Sequence, residues 1–160
     1  MANIDKIITL EQFKEWKKSF KGKIVVTNGV FDLLHPGHME YLEEASDLGD
    51  ALVIALNSDS SVKELKDPRR PIISEEERSY MLASLACVSK VVLFQEREAL
   101  NTLLEMEPDI YVKGGDYNIE TINQDERHAL EEKGTEIKIL RFKAGFSTTK
   151  MIEKIINAYG

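Results

Sequence analysis

Five short apolar runs restrict the fold of this chain more than any other feature. They cover residues 23–28, 51–57, 90–94, 108–114 and 136–142, and they are largely apolar on both faces. Such runs indicate strands that are covered on both sides. Because segments with helical periodicity separate them, the sequence predicts an α/β fold. We expect a single domain with a doubly wound parallel sheet of about five strands.

Capping signals place the helices between these runs. Helices are predicted over residues 9–20, 36–49, 74–88, 96–107, 124–134 and 147–160. Ser74 and Glu77 have the spacing of a capping box, Pro36 opens the second helix and Ser147 caps the last. The polar segment 58–71 is predicted as a loop. Residues 1–22 are predicted as a helical extension that precedes a domain of residues 23–160.

Charge, hydropathy and cysteine content narrow the classes of function. The net charge of −7, from 28 acidic and 21 basic residues, argues against binding to nucleic acid or to an anionic membrane. No apolar run approaches the roughly 20 residues that cross a bilayer, and the first residues do not have the pattern of a secretory signal. The single cysteine, Cys87, is expected to be a buried, inert thiol in a cytoplasmic protein.

Four loops that follow predicted strands hold nearly all of the unusual polar residues. They are 28–38, 57–71, 113–123 and 143–149. The carboxyl ends of parallel strands lie at one edge of the sheet, where ligands of such folds bind. The sequence therefore predicts one site that all four loops share.

The first loop, NGVFDLLHPGH, carries His35 and His38 at the start of a predicted helix. Gly29 allows close approach of the backbone to a ligand, and a helix N-terminus attracts anions. Two imidazoles three residues apart can donate to one phosphate group, which suits a reaction at phosphorus. A zinc half-site and two incidental surface histidines are the alternatives. Zinc needs three or four ligands and the sequence offers no clear third, so no metal ligand is predicted.

The other loops offer cations, glycines and hydroxyl groups. Lys63, Lys66, Arg69 and Arg70 form either a lid over a polyphosphate or a solvated surface loop, and Arg78 either reaches the crevice or pairs with Glu75. The segment VKGGDY permits close backbone approach at its glycines, and Asp116 could accept hydrogen bonds from a ribose or a base. The segment GFSTT sets hydroxyl groups at a helix N-terminus. No general base stands beside a serine or cysteine nucleophile, so the substrate is expected to supply the nucleophile.

These motifs resemble those of a known enzyme superfamily. TNGVFDLLHPGH resembles the (T/H)xGH signature of the nucleotidyltransferases and GFSTTK their C-terminal Ser-Thr motif, with NSD, RP and VKGGDY between them in order. The resemblance implies a Rossmann-like fold and a nucleotidyltransferase domain over residues 23–160. Within the superfamily, the chain is most similar to the D-glycero-D-manno-heptose 1-phosphate adenylyltransferases. Glycerol-3-phosphate cytidylyltransferases typically have Met-Gly-Asp-Asp-Trp at 113–117 and an arginine in place of Phe142.

The resemblance implies a reaction, its substrates and its residues. Heptose 1-phosphate would attack the α-phosphorus of ATP, with Mg²⁺ bound mainly through the triphosphate, to give ADP-heptose for a surface polysaccharide such as lipopolysaccharide core or an S-layer glycan. The catalytic residues would be His35, His38, Lys66, Ser147 and Thr148. Further ATP contacts would come from Asn28, Gly29, Val30, Phe31, Lys113, Gly114, Gly115, Asp116 and Thr149. Substrate contacts would come from Asp32, Asn57, Arg69 and Arg78.

Two other functions remain open on the sequence alone. One is glycerol-3-phosphate cytidylyltransferase or another sugar- or alditol-phosphate nucleotidyltransferase, and the other is a nucleotide-binding module without activity. Many heptose enzymes carry a sugar-kinase domain ahead of this one. Since only some twenty residues precede the first predicted strand, the heptose kinase is expected to be a separate protein. A homodimer is also expected from the resemblance.

Overall fold

A six-stranded parallel sheet forms the centre of the computed structural model, which describes residues 3–160. The strands are β1 (Ile7–Ile8), β2 (Ile24–Gly29), β3 (Ala51–Asn57), β4 (Lys90–Phe94), β5 (Ile110–Gly114) and β6 (Glu136–Leu140). Their order is β1-β4-β3-β2-β5-β6, and every neighbouring pair is parallel. The predicted α/β, doubly wound architecture is confirmed, with one strand more than expected.

Seven α-helices and one 3-10 helix, Asn3–Lys6, surround the sheet within the described residues. The α-helices are α1 (Leu10–Ser19), α2 (Pro36–Ser46), α3 (Asp59–Leu65), α4 (Glu75–Ala83), α5 (Leu100–Met106), α6 (Gln124–Glu132) and α7 (Thr148–Tyr159). Helix α3 lies in the segment predicted as a loop, where the Ser58 hydroxyl caps it by accepting from the Ser61 amide. None of the helices described is long and apolar enough to cross a membrane.

The segment before residue 23 contributes to the sheet as well as supplying a helix. Ile7 and Ile8 pair with Val91 and Val92 at the edge of the sheet, and the Phe13 side chain of α1 is fully buried. The sequence does not reveal β1 because two residues are too few to show a period. Residues 1 and 2 of the predicted extension lie outside the described residues. The division at residue 23 stays a prediction.

The two faces of the sheet each carry a hydrophobic core. Val25 and Val26 are adjacent and fully buried, and they belong to different core clusters because successive side chains of a strand point to opposite faces. Burying such a side chain stabilises the fold by roughly 1.5–3 kcal/mol. Cys87 lies beyond the end of α4 and only part of it is buried; burial raises the pKa of its thiol.

The strand order reverses beside β2. From β2 the chain continues to β3 and β4 on one side of the sheet, and later to β5 and β6 on the other. In open α/β sheets ligands bind at such a switch point, outside the carboxyl ends of the strands. Asn28 near the end of β2 and Gly114 at the end of β5 lie on either side of this point.

Candidate functional site at the carboxyl edge of the sheet

Two adjoining cavities open at this switch point. The first has a volume of about 480 Å³ and the second about 460 Å³, and both values lie within the roughly 300–1,000 Å³ typical of ligand pockets. The two cavities share the residues Asn28, Asn57, Leu65 and Gly114. The carboxyl ends of β2, β3 and β5 therefore form a common floor beneath them.

The first cavity lies between the loop after β2 and the N-terminus of α7, and it gathers most of the predicted site. Its lining residues are Asn28, Gly29, Val30, Phe31, Asp32, His35, His38, Tyr41, Asn57, Leu65, Lys66, Arg70, Gly114, Phe142, Phe146, Ser147, Thr148 and Thr149. Four predicted residues line neither cavity: Arg69, Arg78, Gly115 and Asp116. The structure thus unites the first and last loops of the prediction and only parts of the other two.

His35 and His38 form a reciprocal capping box at the start of α2. The His35 Nδ1 accepts from the His38 amide at 3.4 Å, and the His38 Nδ1 accepts from the His35 amide at 3.4 Å. The two rings are stacked with their centroids 3.8 Å apart. Since a nitrogen that accepts carries no proton, a neutral imidazole held in this way keeps its proton on Nε2. Each ring therefore has one remaining donor.

Burial keeps both imidazoles neutral at pH 7. Burial, with a smaller contribution from the neighbouring His35, lowers the pKa of His38 to about 4. Burial also lowers the pKa of His35 below its ordinary value. The pair therefore supplies two neutral N–H donors, which suits a site where negative charge develops on phosphate oxygens.

The loop that leads to the histidines has an unusual backbone. Phe31 has a φ of 49°, in a region that bulky residues rarely adopt and that occurs mainly where the surroundings enforce it. Its ring packs over Gly29, where an added Cβ would lie 2.8 Å from it, and its centroid is 5.3 Å from that of His38. A side chain at position 29 would thus displace a ring that supports His38.

Asp32 connects this loop to residues 70–73. Its carboxylate is buried and accepts from the amides of Ile72 and Ile73 at 2.9 and 3.0 Å and from the Arg70 Nε at 2.7 Å. These donors occupy both oxygens, so Asp32 positions Arg70 at the cavity wall. Arg70 and Lys66 are the cations that line this end of the cavity.

Arg69 and Arg78 do not reach the ligand space, although substrate contacts were predicted for both. The Arg69 side chain is exposed and pairs with Asp67 at 2.7 Å. Arg78 is fully buried beneath the site, where it donates to the backbone oxygens of Val30 at 2.7 Å and Asn57 at 2.9 Å. Its role is therefore to connect the end of β3 to the loop after β2.

The N-terminus of α7 faces the histidines across the first cavity. The Ser147 hydroxyl caps the helix by accepting from the Lys150 amide at 3.0 Å, and its own proton remains available for donation. Thr148 and Thr149 line the cavity beside it. The Phe146 ring lies parallel to that of His35, with 6.1 Å between their centroids. Two helix N-termini thus point into one space, which favours an anion there.

Aromatic residues form the end of the first cavity near β5. The Phe142 ring lies 4.7 Å from that of Tyr41, and a Cβ added at Gly114 would lie 2.7 Å from Phe142. The prediction omitted Phe142, Phe146, Tyr41 and Leu65 from the site, and it named Arg70 only as part of a possible lid. Two aromatic residues in the loop between β6 and the Ser-Thr motif were a signal that could have identified Phe142 and Phe146.

The second cavity has a different chemical character. It is lined by Asn28, Asn57, Leu65, Arg97, Glu98, Ala99, Tyr111, Lys113, Gly114, Tyr117, Asn123 and Glu126. Lys113 was predicted beside Asp116 in one ATP subsite. In the structure its Nζ lies 3.8 Å from the Glu126 carboxylate and 5.5 Å above the Tyr117 ring, whereas Asp116 is exposed and lines neither cavity.

A third and larger cavity, of about 1200 Å³, shares no lining residue with the other two. It is bordered by α4, by the start of α3 and by residues around β1 and the end of β4. Its charged residues within the described chain are Asp59, Glu75, Glu76 and Glu77. A cavity whose only charges are negative does not suit a phosphate ligand.

The fold and the two cavities define an α/β protein whose ligand site lies at a topological switch point, with helix N-termini arranged for an anion. The cytidylyltransferase-like family matches residues 26–154, and the chain belongs to this family. The resemblance to nucleotidyltransferases that the motifs carry is thereby confirmed.

Individual relatives extend this assignment. The chain is 48% identical to the bifunctional protein HldE of Citrifermentans bemidjiense over 86% of its own length and 28% of that protein. It is 47% identical to HldE of Helicobacter pylori strain HPAG1 over 94% of its own length and 31% of that protein. The chain thus spans about a third of the length of the curated relatives it matches.

Two solved structures show the same fold. A lipopolysaccharide core biosynthesis protein from Thermoplasma volcanium superposes with a TM-score of 0.63 at 31% identity, covering 77% of this chain and 98% of that one. A pantoate-beta-alanine ligase from Francisella tularensis superposes with a TM-score of 0.59 at 14% identity, covering 95% of this chain and 76% of that one. The second likeness concerns the fold alone.

Proposed function

We propose that this chain transfers AMP from ATP to D-glycero-D-manno-heptose 1-phosphate, giving ADP-heptose and pyrophosphate. The observation that carries the proposal is the first cavity, in which two Nε2–H donors face the N-terminus of α7. The similarity to HldE proteins and to a lipopolysaccharide core biosynthesis protein supports heptose as the sugar.

The reaction needs no protein nucleophile. An oxygen of the sugar phosphate, already ionised near pH 7, forms a bond to the α-phosphorus of ATP. The bond from that phosphorus to its bridging oxygen breaks, and this oxygen leaves with the electron pair as part of pyrophosphate. Negative charge grows on the non-bridging oxygens, so positioning and preorganised donors supply the catalysis.

The described residues divide this work between them. The Nε2–H groups of His35 and His38 donate to the oxygens of the α-phosphate, where charge develops. Ser147 and the N-terminus of α7 hold the rest of the triphosphate, and Lys66 stabilises the departing pyrophosphate. The aromatic end of the cavity, at Phe142, receives the adenine.

Mg²⁺ fits this site as a companion of the triphosphate. Residues 3–160 contain no cluster of three or more His, Cys, Asp or Glu side chains that could hold a metal ion, and the oxygens of Asp32 already accept from three donors. Mg²⁺ is commonly held by substrate phosphates and water, and there it would neutralise triphosphate charge.

Pyrophosphate release tests the proposal directly. Purified protein with ATP and heptose 1-phosphate should release pyrophosphate, and CTP with glycerol 3-phosphate should not. Turnover with the second pair alone would instead assign the cytidylyltransferase activity. Binding of ATP without turnover of any acceptor would favour a nucleotide-binding module.

Two single variants, each at a different histidine, test the catalytic step. His38→Ala should lower kcat by about 10²–10³, the usual cost of losing one preorganised donor, and should change ATP affinity far less. His128→Ala is the matched control, because His128 is exposed on α6 and lines neither cavity. Equal turnover of both variants would exclude the role of His38.

Three further predictions accompany this function. We propose a cytoplasmic location, a separate heptose kinase in the same pathway, and a homodimer. Fractionation of cells, the reconstituted two-enzyme reaction and light scattering of the purified protein would test them in turn.

A further inference from the structure

The second cavity lies where the reaction needs its second substrate. An attacking oxygen must come within about 3–3.5 Å of the phosphorus, so the acceptor has to occupy space that adjoins the triphosphate cavity. The second cavity shares four lining residues with the first, whereas the third cavity shares none. Of the cavities in the described chain, the second therefore has the position of an acceptor subsite.

The junction between the cavities carries polar groups with fixed orientation. The Tyr111 hydroxyl donates to the Asn28 Oδ1 at 2.6 Å, so the Asn28 Nδ2 is the end left to donate to a ligand. The Asn57 Nδ2 donates to the Ser61 hydroxyl at 2.8 Å, so the Asn57 Oδ1 is the end left to accept. The junction of the two cavities therefore offers the Asn28 amide nitrogen as a donor to a phosphate oxygen and the Asn57 amide oxygen as an acceptor from a sugar hydroxyl group.

The walls of the second cavity combine both signs of charge. Arg97 and Lys113 supply cations, and Glu98 and Glu126 supply carboxylates. At 3.8 Å the contact between Lys113 and Glu126 is looser than a charge-assisted hydrogen bond, so both groups retain capacity for a ligand. A sugar phosphate has a use for both kinds of group, because its phosphate needs cations and its many hydroxyl groups need acceptors. An uncharged purine ring has no use for the two cations.

We propose that the second cavity binds a polyhydroxylated sugar 1-phosphate, with its phosphate held by Asn28, Lys113 and Arg97 and its hydroxyl groups by Glu126 and Glu98. This assignment rests on the proposed function and adds to that function the place where the second substrate binds. It also moves Lys113 from the nucleotide, where the resemblance had placed it, to the sugar phosphate. Tyr117, beneath the Lys113 ammonium group, forms the outer wall.

Steady-state kinetics with each substrate varied in turn test this assignment. Lys113→Met and Glu126→Gln should raise the KM for heptose 1-phosphate by about 10- to 100-fold, the usual effect of losing a contact to a charged group. The Kd for ATP, measured by calorimetry, should stay within about twofold. Lys133→Met is the matched control, because Lys133 also pairs with a glutamate, at 3.1 Å, but lines neither cavity.

The outcomes separate this inference from the proposed function. A weaker Kd for ATP with an unchanged KM for the sugar phosphate would return Lys113 to the nucleotide and overturn the subsite. If the wild-type protein turns over no acceptor, the proposed function fails. Calorimetry of heptose 1-phosphate binding in the presence of a non-hydrolysable ATP analogue then tests the subsite by itself. The subsite is supported if the wild type and Lys133→Met bind the sugar phosphate and Lys113→Met does not, and it is refuted if the wild type does not bind it.

Discussion

Replacing Arg78 by methionine should weaken the fold and the site together. The guanidinium is fully buried and donates to the carbonyl oxygens of Val30, Asn57 and Ile73 at 2.7, 2.9 and 2.9 Å and to the Asp59 carboxylate at 2.8 Å. Methionine retains much of the apolar stem and removes all four hydrogen bonds.

The size of the effect follows from these contacts. Each hydrogen bond from a charged donor contributes about 1.5–3 kcal/mol, but the cost of burying the guanidinium offsets a large part of their sum. Removing one partner of a buried ion pair usually costs about 3–5 kcal/mol, and we expect that value for Arg78→Met. For a chain of this length it lowers the melting temperature by roughly 6–20 °C.

Thermal unfolding followed by circular dichroism measures this loss, with Arg69→Met as the control. Arg69 also pairs with an aspartate at 2.7 Å, but its side chain is 88% exposed, so its loss should leave the melting temperature nearly unchanged. Because Val30 and Asn57 line the first cavity, the Arg78→Met variant should also have a higher KM for ATP when it is assayed at a temperature at which it is still folded. A melting temperature within about 2 °C of the wild type would refute this account of Arg78.

Three further perturbations address the histidines, the aromatic end and the last helix. Because the pKa of His38 is about 4 in the folded chain and about 6.5 when unfolded, the unfolded state binds more protons below pH 6.5. The free energy of unfolding of the wild type, measured by urea titration, should therefore fall relative to that of His38→Gln as the pH drops from 6.5 towards 4, by at most about 1.4 kcal/mol per pH unit. Gly114→Ala should displace Phe142, which an added Cβ would approach to 2.7 Å, and should raise the KM for ATP by about tenfold with a small change in melting temperature. Ser147→Ala and Thr9→Ala should each cost about 1 kcal/mol of capping in denaturant titrations, but Ser147→Ala alone should lower kcat.

The framework of the fold was predictable because its signals are local. Apolar runs over 51–57 and 90–94 match β3 and β4 residue for residue, since a central parallel strand must be apolar on both faces. The Ser74 and Glu77 pattern marked the start of α4, where both reciprocal bonds are present. Helix α3 was missed because it is short and its buried residues, Ser61 and Val62, give no amphipathic period.

The roles of several site residues were not predictable because they depend on partners distant in the sequence. Asp32 meets Arg70 and the amides of Ile72 and Ile73 only in the folded chain. Arg78 could equally have reached the crevice from the same helix, and what directs it inward is the position of the carbonyl groups at the end of β3 and in the loop after β2. Sequence patterns identify a charged residue near a site, and the fold decides whether it contacts a ligand.

The capping box at α2 shows why the two histidines are there. Two other capping boxes in the described chain use a hydroxyl residue with Gln or Glu, at Thr9 and at Ser74, and these residue types are the preferred caps. At α2 both bonds measure 3.4 Å, longer than a typical hydrogen bond, and neither His35 nor His38 belongs to the preferred types. Serine and glutamate would stabilise the helix better. What the imidazoles provide instead is an Nε2–H on each ring, fixed in orientation because the backbone occupies Nδ1. Both rings line the first cavity, and under the proposed function these two donors are what a phosphate there requires.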